Sequence, residues 1–512
     1  MKLVERTLAQ QLSHIANLYP GHEAAVCGDQ RLTYRQLNEQ VSLLAKGLLA
    51  MGITKGTHVA LVGQNRIYML LCLYAILRIG SVCVTSSNRT PADTLLQRLR
   101  DTDTCWLLDD DEQRCMAAAR TGLRAVCIGT DSLEQIQSAG ATVTDEQLTA
   151  AAAAVRPEDT DVILFTSGTT SKAKAVLTTH LARLNNALSM AECNRITPSD
   201  RFCVALPMNH CFCLTANIIA PMSVGACVCF AKDHHSQNVL DTIEKERCTI
   251  LHGVPTMFFS AARRQEAESR DVSSLKMGMI GGAGYTPEQF LWVAKVLDFD
   301  LIPSLGQTEA TAGITVGYFE DNDIVKSTTV GHLFPGIEAR FCDPVTRRVL
   351  PDGEIGELCI RGYNVMQGYY GIPDSDAIDA DGFLHTGDLG SMDAAENITL
   401  SGRCKDIIIR GGENVAPAEV ETVLRQVPGV QDVKVIGVPD DHFGEELCAC
   451  MITDGTVAAQ RLYQYAKEKL PPFKVPRYIL FVDAFPVNEM GKLNKKDLIE
   501  LAVKRIEMGE SL

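Results

Sequence analysis

Through residues 34–53, YRQLNEQVSLLAKGLLAMGI, apolar side chains recur every three or four positions and stop at a glycine. That is the spacing of one buried helix face with a residue suited to ending it. The next apolar run, HVALVG, is short and continuous and predicts a buried strand. MLLCLYAILRIG before SVCVTSS repeats the pair, and so does VLDTIEKER before CTILHGV. Helices alternating with short apolar strands predict an α/β fold of mostly parallel sheets flanked by helices. The alanine-rich stretch LTAAAAAVRPEDT predicts a helix end or linker leading into the strand DVILF. From about residue 330 the pattern changes to short alternating strands with glycine turns, such as GIEARFCDP, GEIGELCIRG and NITLSGRCKD, which predicts a β-rich subdomain. Beyond GRCKD come the acidic-capped helix APAEVETVLRQVPGV, strands around VQDVKVIGVPDD and a lysine-rich helical end. These predict a small α+β domain, with the boundary near Arg403 to Lys405 dividing the chain into 1–403 and 404–512.

At 512 residues and 46% hydrophobic, the chain is long enough for more than one core and for a buried site. A net charge of -15 excludes a broad nucleic-acid surface, which needs clustered Lys and Arg. The 18 cysteines are scattered through apolar stretches such as RFCVAL and ELCACM, the pattern of reduced, buried thiols in a cytoplasmic protein. The N-terminus is amphipathic, without the apolar core of a signal peptide. The longest uncharged run, LTANIIAPMSVGACVCFA (214–231), holds Asn217, Pro221 and Gly225 and fits a buried helix, a turn and a strand instead of a membrane span. HCFC (210–213), taken as a strand with both thiols on one face, has no second pair at zinc spacing, so no metal is expected there.

One stretch carries chemistry on its face. FTSGTTSKAKAV (165–176) follows an apolar strand with three threonines, two serines, a glycine and two lysines. Successive backbone amides and hydroxyls in such a turn wrap an anion. It does not fit the Walker A pattern, and taken alone a surface turn is the competing reading.

Four further motifs accompany it: GQTE (306–309), HTGD (385–388), GRCKDIIIRGGENV (402–415) and PVNEMGKLNKK (486–496). With these five in order along nearly its whole length, the chain resembles the adenylate-forming superfamily of acyl-CoA synthetases, adenylation domains and luciferases. The resemblance implies an AMP-forming acid–CoA ligase. A carboxylate attacks the α-phosphorus of ATP to give an acyl-adenylate, and a thiol then takes the acyl group. Both steps need neutralised charge more than covalent catalysis.

The resemblance also implies roles. Thr166, Ser167, Gly168, Thr169, Thr170 and Lys174 cradle the β- and γ-phosphates, with Thr166 and Glu309 holding Mg²⁺, a hard cation that takes oxygen ligands. Gln307 and Thr308 complete the second nucleotide segment. Gly282, Ala283 and Gly284 form the backbone wall against adenine. Asp388 accepts from the ribose hydroxyls with Arg403 assisting, Lys405 is the hinge of a rotating C-terminal domain, and Gly411 and Gly412 line the path for the pantetheine arm of coenzyme A. Lys492 is the catalytic lysine between substrate carboxylate and α-phosphate, Lys495 and Lys496 being its rivals for the register. The segments 207–218, 253–258 and 310–315 form the acyl pocket, with His210 at its wall; a packed histidine is the bland alternative.

The chain departs from the family pattern at Ser171, Lys172, Ala173 and Ala175 in the loop and at Leu305, where an aromatic residue usually precedes the GxTE motif. Losing that platform weakens adenine stacking by about 1 kcal/mol. The first pocket segment lacks the aspartate that holds a substrate ammonium, which disfavours amino acids and points to a neutral aliphatic or aryl acid, a fatty acid foremost. The expected partners are that acid, ATP and CoA, with no nucleic acid. An acyl carrier protein as acceptor, a luciferase-like oxidase and a non-catalytic nucleotide-binding protein are the alternatives. The oligomeric state is open, a homodimer among the options.

Overall fold

The computed structural model describes residues 2–166, 173–373, 375–486 and 493–510. The chain divides into two compact units. The first comprises Met1–Ala339, Cys359–Thr386 and Ala395–Ile398; the second comprises Arg340–Leu358, Gly387–Ala394 and Thr399–Leu512.

In the first unit the amphipathic N-terminus forms α1 (Leu8–Leu18) and the next periodic stretch forms α2 (Tyr34–Ala50). Thr33 caps α2 by accepting from the Gln36 amide while the Gln36 side chain accepts from the Thr33 amide, a reciprocal box that satisfies two otherwise orphaned donors. Its stripe of Leu37, Val41, Leu44 and Leu48 is fully buried. Next along the chain come β1 (His58–Val62), α3 (Ile67–Arg78) and β2 (Val82–Thr85), then β3 (Trp106–Asp109), β4 (Arg124–Cys127), β5 (Thr160–Phe165) and β6 (Ala175–Thr179).

These six strands and the short strand Gly368–Tyr369 make a seven-stranded sheet in the order Gly368–Tyr369, β6, β5, β2, β1, β3, β4. The strands from β5 to β4 run parallel, while β6 returns antiparallel from β5 as a hairpin. Val59, Ala60, Leu107, Val162 and Ile163 are fully buried, as expected of parallel strands covered on both faces.

After the hairpin come α4 (His180–Cys193), β7 (Arg201–Val204), β8 (Cys227–Phe230), α5 (Ser236–Glu246), β9 (Met277–Ile280), β10 (Asp300–Gly306) and β11 (Gly313–Val316). Strand β8 is parallel to β7, and β9 to β10. The strand expected in CTILHGV is reduced to isolated parallel bridges, Phe202 to Ile250, Ile250 to Met277 and Gly253 to Ile280. Those bridges still carry the parallel run from β7 through residues 250–253 to β9.

HCFC is not a strand. Cys211 and Phe212 are helical and Cys213–Ile219 is a π-helical turn, so the two thiols do not share a face. Residues 220–224 continue as α-helix to Gly225, at φ +94°, which turns the chain into β8. The run 214–231 is thus a buried helix, a turn and a strand, as expected. Among the described residues no helix is long and apolar enough to cross a membrane. All 18 cysteines are free thiols.

The β-rich stretch appears as strands Ile337–Cys342, Gly356–Gly362, Leu384–Met392 and Ile398–Arg403. The second unit has its own sheet, in the order Glu413–Val415, Ile408–Arg410, Gly444–Thr453, Val430–Asp440, with Tyr478–Phe481 parallel to Gly444–Thr453. Val420 and Leu424 of the helix Pro417–Arg425 pack one core against it, and Leu498 and Ala502 of the helix Lys495–Glu507 another.

Candidate active site

Four of the sequence segments singled out for chemistry begin where a parallel run ends. The segment from Pro207 follows β7, Gly253 ends the bridged residues 250–253, Gly281 follows β9, and Gln307 follows β10. Because these runs are parallel neighbours, their carboxyl ends share one edge, the position where open α/β sheets place ligands. At Gly281 a Cβ would stand 2.5 Å from the Ser304 carbonyl oxygen, so only glycine lets this turn lie against β10. Gly282, Ala283 and Gly284 then emerge as exposed backbone.

The hairpin β5–β6 holds the stem of the loop expected to bind phosphate. Phe165 pairs with Ala175, and the Thr166 amide donates to the Lys174 carbonyl at 3.0 Å. Ser167, Gly168, Thr169 and Thr170 lie outside the described residues, as do Ser171 and Lys172. On the other side of β6, Tyr369 pairs with Val176. This places the Lys174 ammonium 4.6 Å from the centre of the Tyr369 ring. The Tyr369 hydroxyl donates to Glu309 Oε1 at 3.1 Å. Burial, with the Glu309 charge behind it, pushes the Tyr369 phenol well up, so it stays protonated and remains a donor.

Glu309 sits in the 3₁₀ turn 308–310, and its carbonyl accepts from the Met366 amide at 2.9 Å. Two residues on, Thr311 is held at φ +63°, rare for a β-branched residue. Its hydroxyl donates to the Asn364 carbonyl at 2.7 Å, and Asn364 Nδ2 donates to the Gly313 carbonyl at 2.9 Å. Segment 364–370 therefore clamps the GQTE turn and the hairpin β5–β6 together. Tyr369 was not among the residues singled out from sequence. Its signal, the paired tyrosines of QGYYG, is visible only once the strand Gly368–Tyr369 is known to lie beside β6.

Thr308 faces the acyl segment, its hydroxyl 3.6 Å from Cys211 Sγ. His210 is exposed, and its Nδ1 accepts from the Phe212 amide at 3.3 Å. Burial pushes the Cys211 thiol up, but His210 and the Thr308 hydroxyl outweigh it and the net direction is down. Leu305 is buried in β10, where its amide donates to Thr315 Oγ1 at 3.1 Å.

The second unit carries the remaining described candidates. Asp388, buried on the strand Leu384–Met392, pairs with Arg403 Nε at 2.6 Å. Glu357 Oε1 accepts from the Gly387 amide at 3.0 Å, fixing the turn before Asp388. Burial, with Glu357 and Asp388, pushes the Cys404 thiol up to about 12, leaving it inert. Lys405 is exposed, yet partial desolvation by the groups around it lowers its ammonium from the usual value. Its neighbour Asp406 accepts an ion pair from Lys495 Nζ at 3.0 Å.

Gly411 and Gly412, at φ +60° and +90°, are the two-residue turn joining Ile408–Arg410 to Glu413–Val415. Two positive φ angles in succession define the hairpin turn that glycine favours. Lys492 lies outside the described residues. Lys496 approaches Glu500 at 3.8 Å on its own helix, so both of Lys492's rivals have acidic partners in the structure.

Comparison with known proteins shows the family and the fold. Residues 12–370 match the family model of the AMP-binding enzyme, and residues 419–492 that of the AMP-binding enzyme C-terminal domain. The chain is 35% identical over 546 aligned positions to the provisionally named acyl-CoA synthetase YngI of Bacillus subtilis (strain 168), covering all of both chains. It is 31% identical to the human mitochondrial medium-chain acyl-CoA ligase ACSF2, over 99% of this chain and 89% of that one. The crystal structure of ATP-bound MatB from Rhodopseudomonas palustris superimposes with a TM-score of 0.83 at 27% identity, covering 96% of this chain and 98% of the other. The chain belongs to the AMP-binding enzyme family, and so to the adenylate-forming superfamily, as an AMP-forming acyl-CoA ligase.

Proposed function

We propose that the protein activates a neutral aliphatic or aryl carboxylic acid, a fatty acid foremost, with Mg²⁺-ATP and passes the acyl group to coenzyme A in the cytoplasm. The observation that carries this reading is the Lys174–Tyr369–Glu309 arrangement at the mouth of the phosphate-loop hairpin. A cation for phosphate oxygens and a carboxylate for a metal are held by one buried tyrosine, the first over its ring and the second at its hydroxyl. The Tyr369 phenol is a neutral donor, and among the described residues Glu309 has no ion-pair partner, which suits a hard dication. Thr166 and Glu309 would hold Mg²⁺, whose charge would offset that of the phosphates.

In this reading the amides and hydroxyls of 166–174 hold the β- and γ-phosphates, and the exposed backbone of 282–284 lies against adenine beside Gln307 and Thr308. Asp388 and Arg403 hold the ribose. Lys492 supplies the ammonium that offsets charge developing between carboxylate and α-phosphate. Residues 404–512 are the moving domain, Lys405 its pivot and Gly411–Gly412 the lining of the pantetheine path. The apolar and small side chains of 207–218, 253–258 and 310–315, with His210, favour a neutral acid.

Pyrophosphate release with Mg²⁺-ATP and CoA across aliphatic, aryl and amino acids tests this reading. CoA-dependent turnover with one neutral class is the expected result. Pyrophosphate without acyl-CoA would move the acceptor to a carrier protein, and no pyrophosphate with any acid would overturn the reading.

A further inference from the structure

Arg183, on α4, is fully buried, and each nitrogen of its guanidinium has a partner. Nε donates to Asp161 Oδ2 at 2.5 Å, Nη2 to Thr178 Oγ1 at 2.5 Å, and Nη1 to Thr215 Oγ1 at 2.9 Å. Thr178 Oγ1 in turn donates to Asp161 Oδ1 at 2.7 Å. Asp161, Thr178 and Thr215 are also fully buried. Asp161 lies on β5 and Thr178 on β6, the two legs of the phosphate-loop hairpin; Thr215 lies in the π-helical turn Cys213–Ile219, inside the segment assigned to the acid pocket.

A core this apolar has no need of an arginine for cohesion, since well-packed hydrophobic residues of similar volume serve as well or better. The planar fork instead dictates where its three partners stand, because an unpaired arm would leave charge stranded in low dielectric. The π-helical turn points the same way, as such insertions sacrifice regular hydrogen bonding and recur at functional sites.

We propose that Arg183 is a positioning residue that braces the stem of the phosphate loop against the wall of the acid pocket, so that the loop's grip on the β- and γ-phosphates depends on Thr215. This rests on the assignment of 166–174 to phosphate and of 207–218 to the acid. Filling the acid pocket then acts on the loop through one guanidinium, with no contact between acid and the two outer phosphates.

The test needs no knowledge of the acid. The non-hydrolysable ATP analogue adenylyl imidodiphosphate, with Mg²⁺, and AMP are titrated calorimetrically into the wild type, Thr215→Val and Thr215→Ser. AMP lacks the two phosphates the loop holds, so the ratio of the two affinities isolates the loop. Thr215→Val is expected to lower the preference for the analogue by about fivefold, the effect of stranding one arm of a charged hydrogen bond, with AMP affinity little changed. Thr215→Ser should restore the preference. If Thr215→Val loses thermal stability or binds both nucleotides equally more weakly while the ratio holds, Thr215 is structural only and the proposal fails. A wild type that binds AMP as tightly as the analogue would overturn the phosphate-loop assignment itself, and the inference with it.

Discussion

Tyr369 donates its hydroxyl hydrogen to Glu309 Oε1 at 3.1 Å, and the face of the same ring lies under the Lys174 ammonium. One side chain thereby sets the spacing between a carboxylate and a cation that the proposed function assigns to the metal and the phosphates. Tyr369→Phe keeps the ring and its cation–π contact and removes only the hydrogen bond. The expected outcome is a fall of about tenfold in kcat/KM for Mg²⁺-ATP, the scale of one hydrogen bond to a charged group. The Mg²⁺ concentration for half-maximal rate should rise. A Mg²⁺ titration of pyrophosphate release gives both numbers, and an unchanged Mg²⁺ dependence would show that the phenol does not organise Glu309.

Lys492→Ala should lower acyl-adenylate formation by about 10²- to 10³-fold, the cost of losing one preorganised group aimed at transition-state charge. Because Lys496 is exposed and its ion pair, with Glu500, is on its own helix, Lys496→Ala is expected to leave adenylation unchanged. Supplying preformed acyl-adenylate and CoA to Lys492→Ala should show thioester formation intact. Equal losses in the two lysine variants would reassign the motif's register.

Gly411→Ala separates a turn from a tunnel. The alanine Cβ would meet the Phe443 ring at 2.8 Å and force a left-handed residue, at a cost of about 1–2 kcal/mol in stability. If the position also lines the pantetheine path, KM for CoA rises while adenylation proceeds normally. If both half-reactions fall together with the melting temperature, Gly411 serves the turn alone.

His252 sets a limit on acid stability. Burial holds its imidazole down at about 3, and its Nδ1 accepts from the Met279 amide at 2.9 Å, so protonation there would also break a backbone hydrogen bond. Burial lowers His180 in the same direction. With a folded-state value below the unfolded one near 6.5, stability is full above that pH. It is lost as pH falls, because only the unfolded chain takes up the proton. Denaturant titrations from pH 7 to pH 5 should show wild-type stability falling. His252→Gln, which keeps an acceptor, should show a slope shallower by about 1.4 kcal/mol per pH unit at the acid end, one proton's worth. Parallel slopes would clear His252 of the effect.

The sequence by itself determined the alternation of helix and strand and the β-rich stretch after residue 330, and its motifs marked the segments to which the family resemblance assigns phosphate, metal and ribose chemistry. It could do so because periodicity, turn residues and motif spacing are local properties, read from residues a few positions apart. Thus the stripe of α2 and the helix, turn and strand of 214–231 appear as read. Tertiary structure decided the rest, wherever the partner is distant in the chain. CTILHGV keeps its place in the parallel run through bridges alone, and HCFC turns helical where the apolar pattern suggested a strand. Tyr369 joins Lys174 to Glu309 only because the strand Gly368–Tyr369 pairs with β6, nearly two hundred residues earlier. Arg183 looks like any helical arginine until Asp161, Thr178 and Thr215 close around it. A charge can be buried there because three elements supply its partners at once, and no run of neighbouring residues encodes that coincidence.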